Sequence, residues 1–394
     1  MTGFRILTRI LSFLKIAVLA RVLTPAQFGI FGIATLVLAF LEMLTETGIN
    51  IILIQSKKEI EEYVSSAWVV SIIRGTFIGL CIAISSPLIA SFFNTPSAAG
   101  ILLLISIVPF IRGFINPSEV KLQKDLKFRY EFWFRTSIFA FDALVAVILV
   151  VLTHSVFSLV WGLIAGALLE LIISFTLMKP LPRLSIRRDY FNEIFHKGKW
   201  ITAYGIFNYI AQNGDNLTVG KVMGASSLGI YAMAYNISTL PISEITDVVS
   251  KVVFPVYTKI SGDVQRLKSA FFKSTLIIAV STVGIGAVLF FFPSQVIHII
   301  LGDKWLSAAP VLRVLAMYGV LRAISGSASS LFLGVERQRY VTNMTFIRFV
   351  GLAVTIYPSV RIFGLVGAAY SALISVIIEI PIITYYVVKV FKNR

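Results

Sequence analysis

Long apolar runs joined by short polar connections fill the chain from end to end. A helix needs roughly 20 residues to cross the hydrocarbon core of a bilayer. Runs of that length fall at 3–22, 27–53, 66–93, 99–117, 134–153 and 156–178. A second set falls at 200–221, 228–253, 271–292, 307–331, 341–360 and 364–388. Gly, Pro, Asn and Ser mark most connections, as at Thr24-Pro25, Asn94-Thr95-Pro96 and Gly224-Ala225-Ser226, where helices end or turns begin. The pattern predicts an all-α membrane protein of about twelve transmembrane helices.

Composition removes other classes. Of 394 residues, 57% are hydrophobic and 14% charged, against about 25% charged in soluble domains, and mean hydropathy is +0.88. The formal charge of +16 does not indicate nucleic acid, because the Lys and Arg residues lie between apolar runs and not on a polar face. One cysteine, Cys81, and three histidines supply neither an intramolecular disulfide nor metal-ligand spacing, so no metal or other cofactor is expected. Arg5 and Arg9 ahead of an apolar stretch resemble a secretory signal. Lys15 interrupts that stretch, and Arg21-Val22-Leu23-Thr24-Pro25 is a poor cleavage site, so the segment reads as the first span.

Orientation follows from the basic residues. Alternating the twelve runs puts 24 of the 35 Lys and Arg residues on one side and only Arg21, Lys221, Lys304 and Arg361 on the other. Both termini are therefore predicted to be cytoplasmic. Seven basic residues remain within or near the spans: Lys15, Arg74, Arg112, Lys251, Arg313, Arg322 and Arg348. Glu42, Glu46, Asp142, Glu170, Asp215, Glu244, Asp247 and Glu379 accompany them. A charge at the bilayer centre costs at least about 2.5–3.5 kcal/mol, so these groups belong to a bundle interior, a partner or a water-filled cavity. A transporter, channel or membrane enzyme accounts for them.

The chain also repeats itself at an offset of 200. Arg21-Val22-Leu23 meets Lys221-Val222-Met223, Phe28-Gly29-Ile30-Phe31 meets Leu228-Gly229-Ile230-Tyr231, and Ala34 meets Ala234. Both stretches join the first and second helices of a six-helix half and run in the same direction, as parallel repeats do, with a substrate site between the halves. The expected organisation is an N-terminal lobe over 1–178, a basic cytoplasmic linker over 179–199 and a C-terminal lobe over 200–394.

Four stretches carry a family resemblance. They are Ala20-Arg21-Val22-Leu23-Thr24-Pro25 through Phe28-Gly29, then Leu122-Gln123-Lys124-Asp125-Leu126-Lys127-Phe128-Arg129. The others are Asp215 to Gly229-Ile230-Tyr231-Ala232, and Phe254-Pro255 with Lys259-Ile260 and Arg266-Leu267. With the hydropathy pattern they cover the whole chain, which resembles the Wzx-type lipid-linked oligosaccharide flippases of the multidrug/oligosaccharidyl-lipid/polysaccharide (MOP) exporter superfamily. The resemblance implies a MATE-like fold of two pseudo-symmetric six-helix lobes in the bacterial inner membrane. It implies a cargo of undecaprenyl-pyrophosphate carrying an oligosaccharide repeat unit, moved by alternating access for O-antigen, lipopolysaccharide or exopolysaccharide assembly. Membrane lipids, a polysaccharide polymerase and chain-length machinery are the implied partners. Many relatives continue to fourteen spans, whereas this sequence stops after the twelfth; twelve complete both lobes, so transport is expected to survive the shorter end.

Residue physics agrees with such a cargo, because a pyrophosphate moved through low dielectric needs fixed positive charge. On the first helix, at about 100° per residue, Arg5, Arg9 and Lys15 share an arc of about 120°, with Arg21 on the other side. Related lipid-linked precursor flippases place basic residues on this helix in a pattern that Arg9 and Lys15 fit. Arg9 and Lys15 are the leading pyrophosphate candidates, followed by Arg74 and Arg112; intramembrane ion pairing or snorkelling is the plainer role for each. In the second half, Arg313 and Arg322 are about 180° apart on one helix, so only one can face a cavity. Arg322, beside Ser325-Gly326-Ser327, is the better candidate, ahead of Arg348 on the next helix. Asp215, flanked by Asn213, Gly214 and Asn216, can bind a coupling ion, H⁺ or Na⁺, or pair structurally with a basic residue of the other lobe. Glu42 and Glu46 share a face of the second helix and are expected to neutralise first-helix cations. Pro109, Pro241 and Pro255 are expected to kink or end helices.

Three competing functions are weaker. No Gly-rich loop ending in Gly-Lys-Ser/Thr exists for an ATP-driven pump. A glycan polymerase needs a sizeable extracytoplasmic loop, and the longest, about 293–306, offers only His298, Asp303 and Lys304. A MATE-like multidrug/ion antiporter favours an acidic cavity for cationic drugs, whereas the first-lobe candidates are basic.

Overall fold

The computed structural model describes residues 2–45, 60–185 and 188–392. No strand occurs among them. The first half contains α1 (Thr2–Val22), α2 (Pro25–Leu44), α3 (Ile60–Phe92), α4 (Ala98–Ile105) and α5 (Ile107–Gly113). A 3-10 turn (Pro117–Val120) and the short α6 (Lys121–Lys124) lead to α7 (Phe128–Thr153) and α8 (Phe157–Leu177). Then come α9 (Arg188–Lys259), α10 (Val264–Phe291), α11 (Pro293–Ile300), a 3-10 segment (Asp303–Ala308), α12 (Ala309–Gly334) and α13 (Gln338–Lys392).

Two of these helices each hold two spans. The 72-residue α9 is interrupted at Gly224 (φ 80°, ψ −179°) and the 55-residue α13 at Gly364 (φ 59°, ψ −139°), conformations that a residue without Cβ adopts at least cost. Each of the twelve apolar runs therefore coincides with helix in its described part. Seven described helices are long and apolar enough to cross a membrane, or eight if the bent pair Ala98–Gly113 and Pro117–Lys124 is one span. Helices α1 and α9 carry polar residues of interest, Lys15 and Arg21 in α1 and Asn213, Asp215 and Asn216 in α9.

Local sequence explains the breaks. Pro109 has no N–H to give the carbonyl of Ile105, and the fourth span divides there, α4 ending at Ile105 and α5 beginning at Ile107. Pro241 and Pro255, by contrast, are accommodated inside α9. Helix α2 opens with a capping box: the Gln27 backbone N–H donates to Thr24 Oγ1 (3.3 Å) and the Thr24 N–H donates to Gln27 Oε1 (2.9 Å), with Pro25 in the first turn.

The chain divides into two compact units, Met1–Asn213 with Gly224–Ser226, and Gly214–Met223 with Ser227–Arg394. In the first, α7 and α8 form a hairpin whose close approach depends on Gly162. A Cβ there would lie 2.7 Å from Asp142 Oδ1 and 2.8 Å from the Asp142 carbonyl. A second clamp closes that unit. Asn116, fully buried, donates its side-chain amide to the carbonyls of Ser174 (3.3 Å), Met178 (3.4 Å) and Pro180 (3.2 Å), while its backbone N–H donates to Ser174 Oγ (3.1 Å). The end of the fourth span is thereby held against the end of the sixth.

The backbone also exposes the repeat. Leu126 (φ 55°) and Glu336 (φ 59°) are left-handed residues 210 positions apart, as are His154 (φ 51°) and Gly364 (φ 59°). After the first pair come Lys127-Phe128-Arg129-Tyr130 and Arg337-Gln338-Arg339-Tyr340. The turns share their hydrogen bonds: Lys127 N to Leu122 O (2.8 Å) matches Arg337 N to Phe332 O (2.7 Å), and Leu126 N to Gln123 O matches Glu336 N to Leu333 O, both 3.1 Å. The register of 200 at the first hairpin of each half thus becomes 210 by the fourth span. The difference lies where the second half has α11 and its 3-10 segment and the first has only a short turn before Ala98.

One substitution made at two glycines tests the packing. Gly162→Ala forces α7 and α8 apart and is expected to cost about 1–3 kcal/mol, read as a lower melting temperature in detergent. Gly284→Ala on α10 meets nothing within 4 Å and should be neutral or stabilising by about 0.5–1 kcal/mol.

Candidate functional site

In the second unit a polar cavity of about 440 Å³ is lined by Arg322, Arg348 and Glu379, with Asp247, Tyr235 and a shell of Ser and Thr that includes Ser243 and Thr246. Glu379 is 1% exposed and accepts from Arg348 (3.3 Å). Arg322, on α12, makes no salt bridge with a described residue. Nine residues earlier on the same helix, Arg313 donates to the Phe290 carbonyl (3.1 Å) and lies over the Phe290 ring (5.8 Å), away from the cavity. The half-turn between them on the helical wheel separates the two arginines.

A run of tyrosines leads from this cavity to Asp215. Asp215 is 4% exposed and its carboxylate accepts from the Tyr231 hydroxyl (2.9 Å) and the Asn216 backbone N–H (2.8 Å). No described cation of its own unit forms a salt bridge with it. The Tyr231 and Tyr235 rings are 6.2 Å apart and the Tyr235 and Tyr318 rings 6.0 Å apart, with the Tyr235 and Tyr318 hydroxyls at 3.4 Å. Tyr235 itself lines the cavity. Asn216 Oδ1 is buried without a hydrogen-bond partner.

The first unit holds a smaller cavity of about 340 Å³, lined by Arg112, Arg135, Asp142 and Glu170 among apolar residues of α7 and α8. Its cations are engaged. Lys15 donates to both oxygens of Asp142 (3.0 and 2.8 Å) and lies over the Phe139 ring (5.8 Å). Arg112, in the fourth span, meets Glu42 (3.4 Å). Arg74 donates to the Glu42 carbonyl (2.8 Å) and Thr45 Oγ1 (3.1 Å). Arg135 meets Glu131 (3.0 Å). Arg135 also lines this cavity. Glu46 and the side chain of Arg9 lie outside the described residues.

Of the sequence candidates, Lys15 and Arg112 are thus neutralised by carboxylates, Arg74 is bound to α2, and Arg322 and Asp215 fall at the two ends of one polar path. From sequence Arg348 ranks behind Arg322 and Glu379 has no role beyond an intramembrane carboxylate, while the tyrosines of that path are not singled out. A register of 210 would have paired Arg112 with Arg322 and led to their neighbours. Between α11 and the 3-10 segment of the second unit, His298 Nδ1 and Asp303 Oδ1 are 2.6 Å apart and both residues are well exposed.

Removing one partner of a buried ion pair strands the other. Lys15→Met and Asp142→Asn are each expected to lower stability by about 3 kcal/mol or more. The double variant should recover much of that loss, which a double-mutant cycle on melting in detergent would check.

The comparisons with known proteins bear on this geometry. The family described as polysaccharide biosynthesis protein matches residues 18–310. An uncharacterized membrane protein of the cps region of Klebsiella pneumoniae is 26% identical over 386 residues, 96% of this chain and 79% of that one. The lipopolysaccharide biosynthesis protein WzxC of Escherichia coli (strain K12) is 24% identical, across 83% of this chain and 67% of its own. For the teichuronic acid biosynthesis protein TuaB of Bacillus subtilis (strain 168) the figures are 25%, 83% and 68%. Among solved structures, the lipid II flippase MurJ superposes with a TM-score of 0.78 at 18% identity, covering 98% of this chain and 88% of that one. A multidrug resistance MATE family transporter of the MOP superfamily gives 0.72 at 16%, covering 98% and 96%. Those structures share the fold, and the family match spans most of the sequence: the chain belongs to the polysaccharide biosynthesis protein family and is a multi-pass membrane protein.

Proposed function

We propose that this protein is an inner-membrane flippase for undecaprenyl-pyrophosphate-linked oligosaccharide repeat units, working by alternating access and driven by H⁺ or Na⁺. The observation that carries the reading is Arg322: a guanidinium with no salt bridge among the described residues, in a cavity of hydroxyls. Its planar donors suit a phosphate group, and the Ser, Thr and Tyr groups around it suit sugar hydroxyls. The prenyl chain can remain in lipid. Asp215 is the candidate coupling site, because a buried carboxylate facing a hydroxyl and no cation has room for a bound ion, and the tyrosine path joins it to the cargo cavity. The positive-inside distribution supports cytoplasmic termini, with the cargo loaded from that side. A polysaccharide polymerase with its chain-length machinery would consume what is delivered.

Drug antiport on the same fold is less well supported, since a cationic drug gains nothing from Arg322 and the family match is to polysaccharide assembly.

Reconstituted proteoliposomes test the reading. The wild type should translocate a defined lipid-linked oligosaccharide in a gradient-dependent manner. Arg322→Gln should weaken cargo binding by roughly tenfold to a hundredfold, the equivalent of about 1.5–3 kcal/mol for a hydrogen bond to a charged group; Arg322→Lys should restore part of it. Asp215→Asn should leave cargo binding intact and remove the dependence on the ion gradient. Failure of the wild type to move any lipid-linked oligosaccharide would overturn the reading.

A further inference from the structure

The turns that lead into α7 and α13 are built alike, but the helix faces that follow them are not. In the register of 210, Arg129, Tyr130 and Trp133 answer to Arg339, Tyr340 and Asn343. The second unit closes this face. Its Tyr340 ring stacks on Tyr386, with centroids 4.1 Å apart and planes within 4°, and Asn343 donates its side-chain amide to the Tyr386 hydroxyl (2.9 Å). The first unit leaves it open. The positions that answer to Tyr386 in registers of 210 and 209 are Thr176 and Leu177, neither of which offers a ring, and Tyr130 is 67% exposed. Trp133 stands in the place of Asn343, 60% exposed and edge-on to Phe132 (4.9 Å, 88°).

Helical geometry says which way this open face looks. At about 100° per residue, Arg129, Tyr130 and Trp133 share an arc of about 100° on α7. The exposed apolar residues Phe141, Leu144, Ile148 and Val151 continue the same stripe along the span. Arg135, Phe139 and Asp142, which line the cavity of this unit, are centred about 170° away on the wheel. The three residues therefore lie on the side of α7 away from the cavity, in the first turns of the span Phe128–Thr153, where hydrocarbon gives way to headgroups. Trp and Tyr favour that layer because their rings carry a polar edge. The charge there is positive. Lys127 is met by Asp125 (3.2 Å) and Arg135 by Glu131 (3.0 Å), whereas the exposed Arg129 makes no salt bridge with a described residue.

We infer that Arg129, Tyr130 and Trp133 form a binding site for the headgroup of an anionic phospholipid, particular to the first unit. The guanidinium fork takes the phosphate, the indole N–H and the phenol bond its ester and glycerol oxygens, and the acyl chains run along the apolar stripe. A phosphatidylcholine headgroup brings its own cation against Arg129 and gains less. The stripe favours a lipid that stays in the bilayer over a water-soluble protein, and the side of the helix favours it over cargo bound in the cavity. On the orientation proposed above the site belongs to the cytoplasmic leaflet, but it does not depend on the flippase reading.

Trp133 itself reports on the site in the full chain held in nanodiscs, because bromine on acyl chains quenches a neighbouring indole. Its share of the fluorescence is the difference made by Trp133→Phe in each background. Brominated phosphatidylglycerol diluted in phosphatidylcholine should quench that share in preference to brominated phosphatidylcholine at the same mole fraction. The preference should be about fivefold, the equivalent of about 1 kcal/mol for one basic side chain at a charged surface. Arg129→Gln should reduce it to about twofold or less, whereas Arg339→Gln, the same change of charge at the matching place in the second unit, should leave it intact. Both arginines are exposed, so both variants are expected to stay folded, with melting temperatures to verify it. Equal quenching by the two lipids in the wild type, or a preference that survives Arg129→Gln, would overturn the inference. So would loss of the preference on adding an equimolar lipid-linked oligosaccharide, which would assign the patch to the cargo. A nanodisc presents phosphatidylglycerol in both leaflets and no transport is measured, so the result is independent of the orientation and of the flippase assay.

Discussion

A charge inside an apolar helix bundle must find its counter-charge, and in this protein that requirement decides which helices touch. Lys15 brings α1 to α7 through Asp142. Arg112 ties the fourth span to α2 through Glu42, and Arg348 joins the two parts of α13 through Glu379. Van der Waals packing between lipid-facing helices is weakly selective, because hydrocarbon tails are as apolar as leucine. Ion pairs and small-residue contacts such as Gly162 against Asp142 supply the selectivity instead. Charge accounting therefore separates residues that build the transporter from residues free to meet a ligand.

The spans were legible in the sequence because hydropathy reads immersion in the bilayer. Helix ends were not. Helix α10 begins at Val264, seven residues before the apolar run at 271, because its first turns carry Arg266, Lys268 and Lys273 where hydrocarbon gives way to headgroups. The wheel angle between Arg313 and Arg322 was also legible, since 3.6 residues per turn fixes it without tertiary contacts. The partner of Lys15 was not: Asp142 is 127 positions away, and many pairings of the buried charges are equally consistent with hydropathy. The offset of 200, sound at the first hairpins, sets Arg112 against Leu312 and Arg322 against Leu122. Ten extra residues in one connection hid the most informative correspondence in the chain.

Transport of a lipid-linked oligosaccharide asks for two things that conflict: a cationic grip on the headgroup, and a route to let go. Cations paired with carboxylates, as Lys15 and Arg112 are in the first unit, hold helices together and have less left for a ligand. A cation left over, the part proposed for Arg322, can grip but then needs an event that weakens its hold. The tyrosine path from Asp215 to Tyr235 is a contiguous physical connection within a single unit, the kind over which the coupling proposed above would act.

The ten-residue difference between the halves has one more consequence. The additional residues lie wholly in the connection occupied by α11 and its 3-10 segment, leaving the left-handed turns at Leu126 and Glu336 superimposable in their hydrogen bonds. Each half of the molecule is therefore an internal control for the other. A property that both halves share follows from the repeated bundle; one that they do not, such as the Arg112–Glu42 pair of the first unit against an Arg322 with no salt bridge to a described residue in the second, is particular to its half.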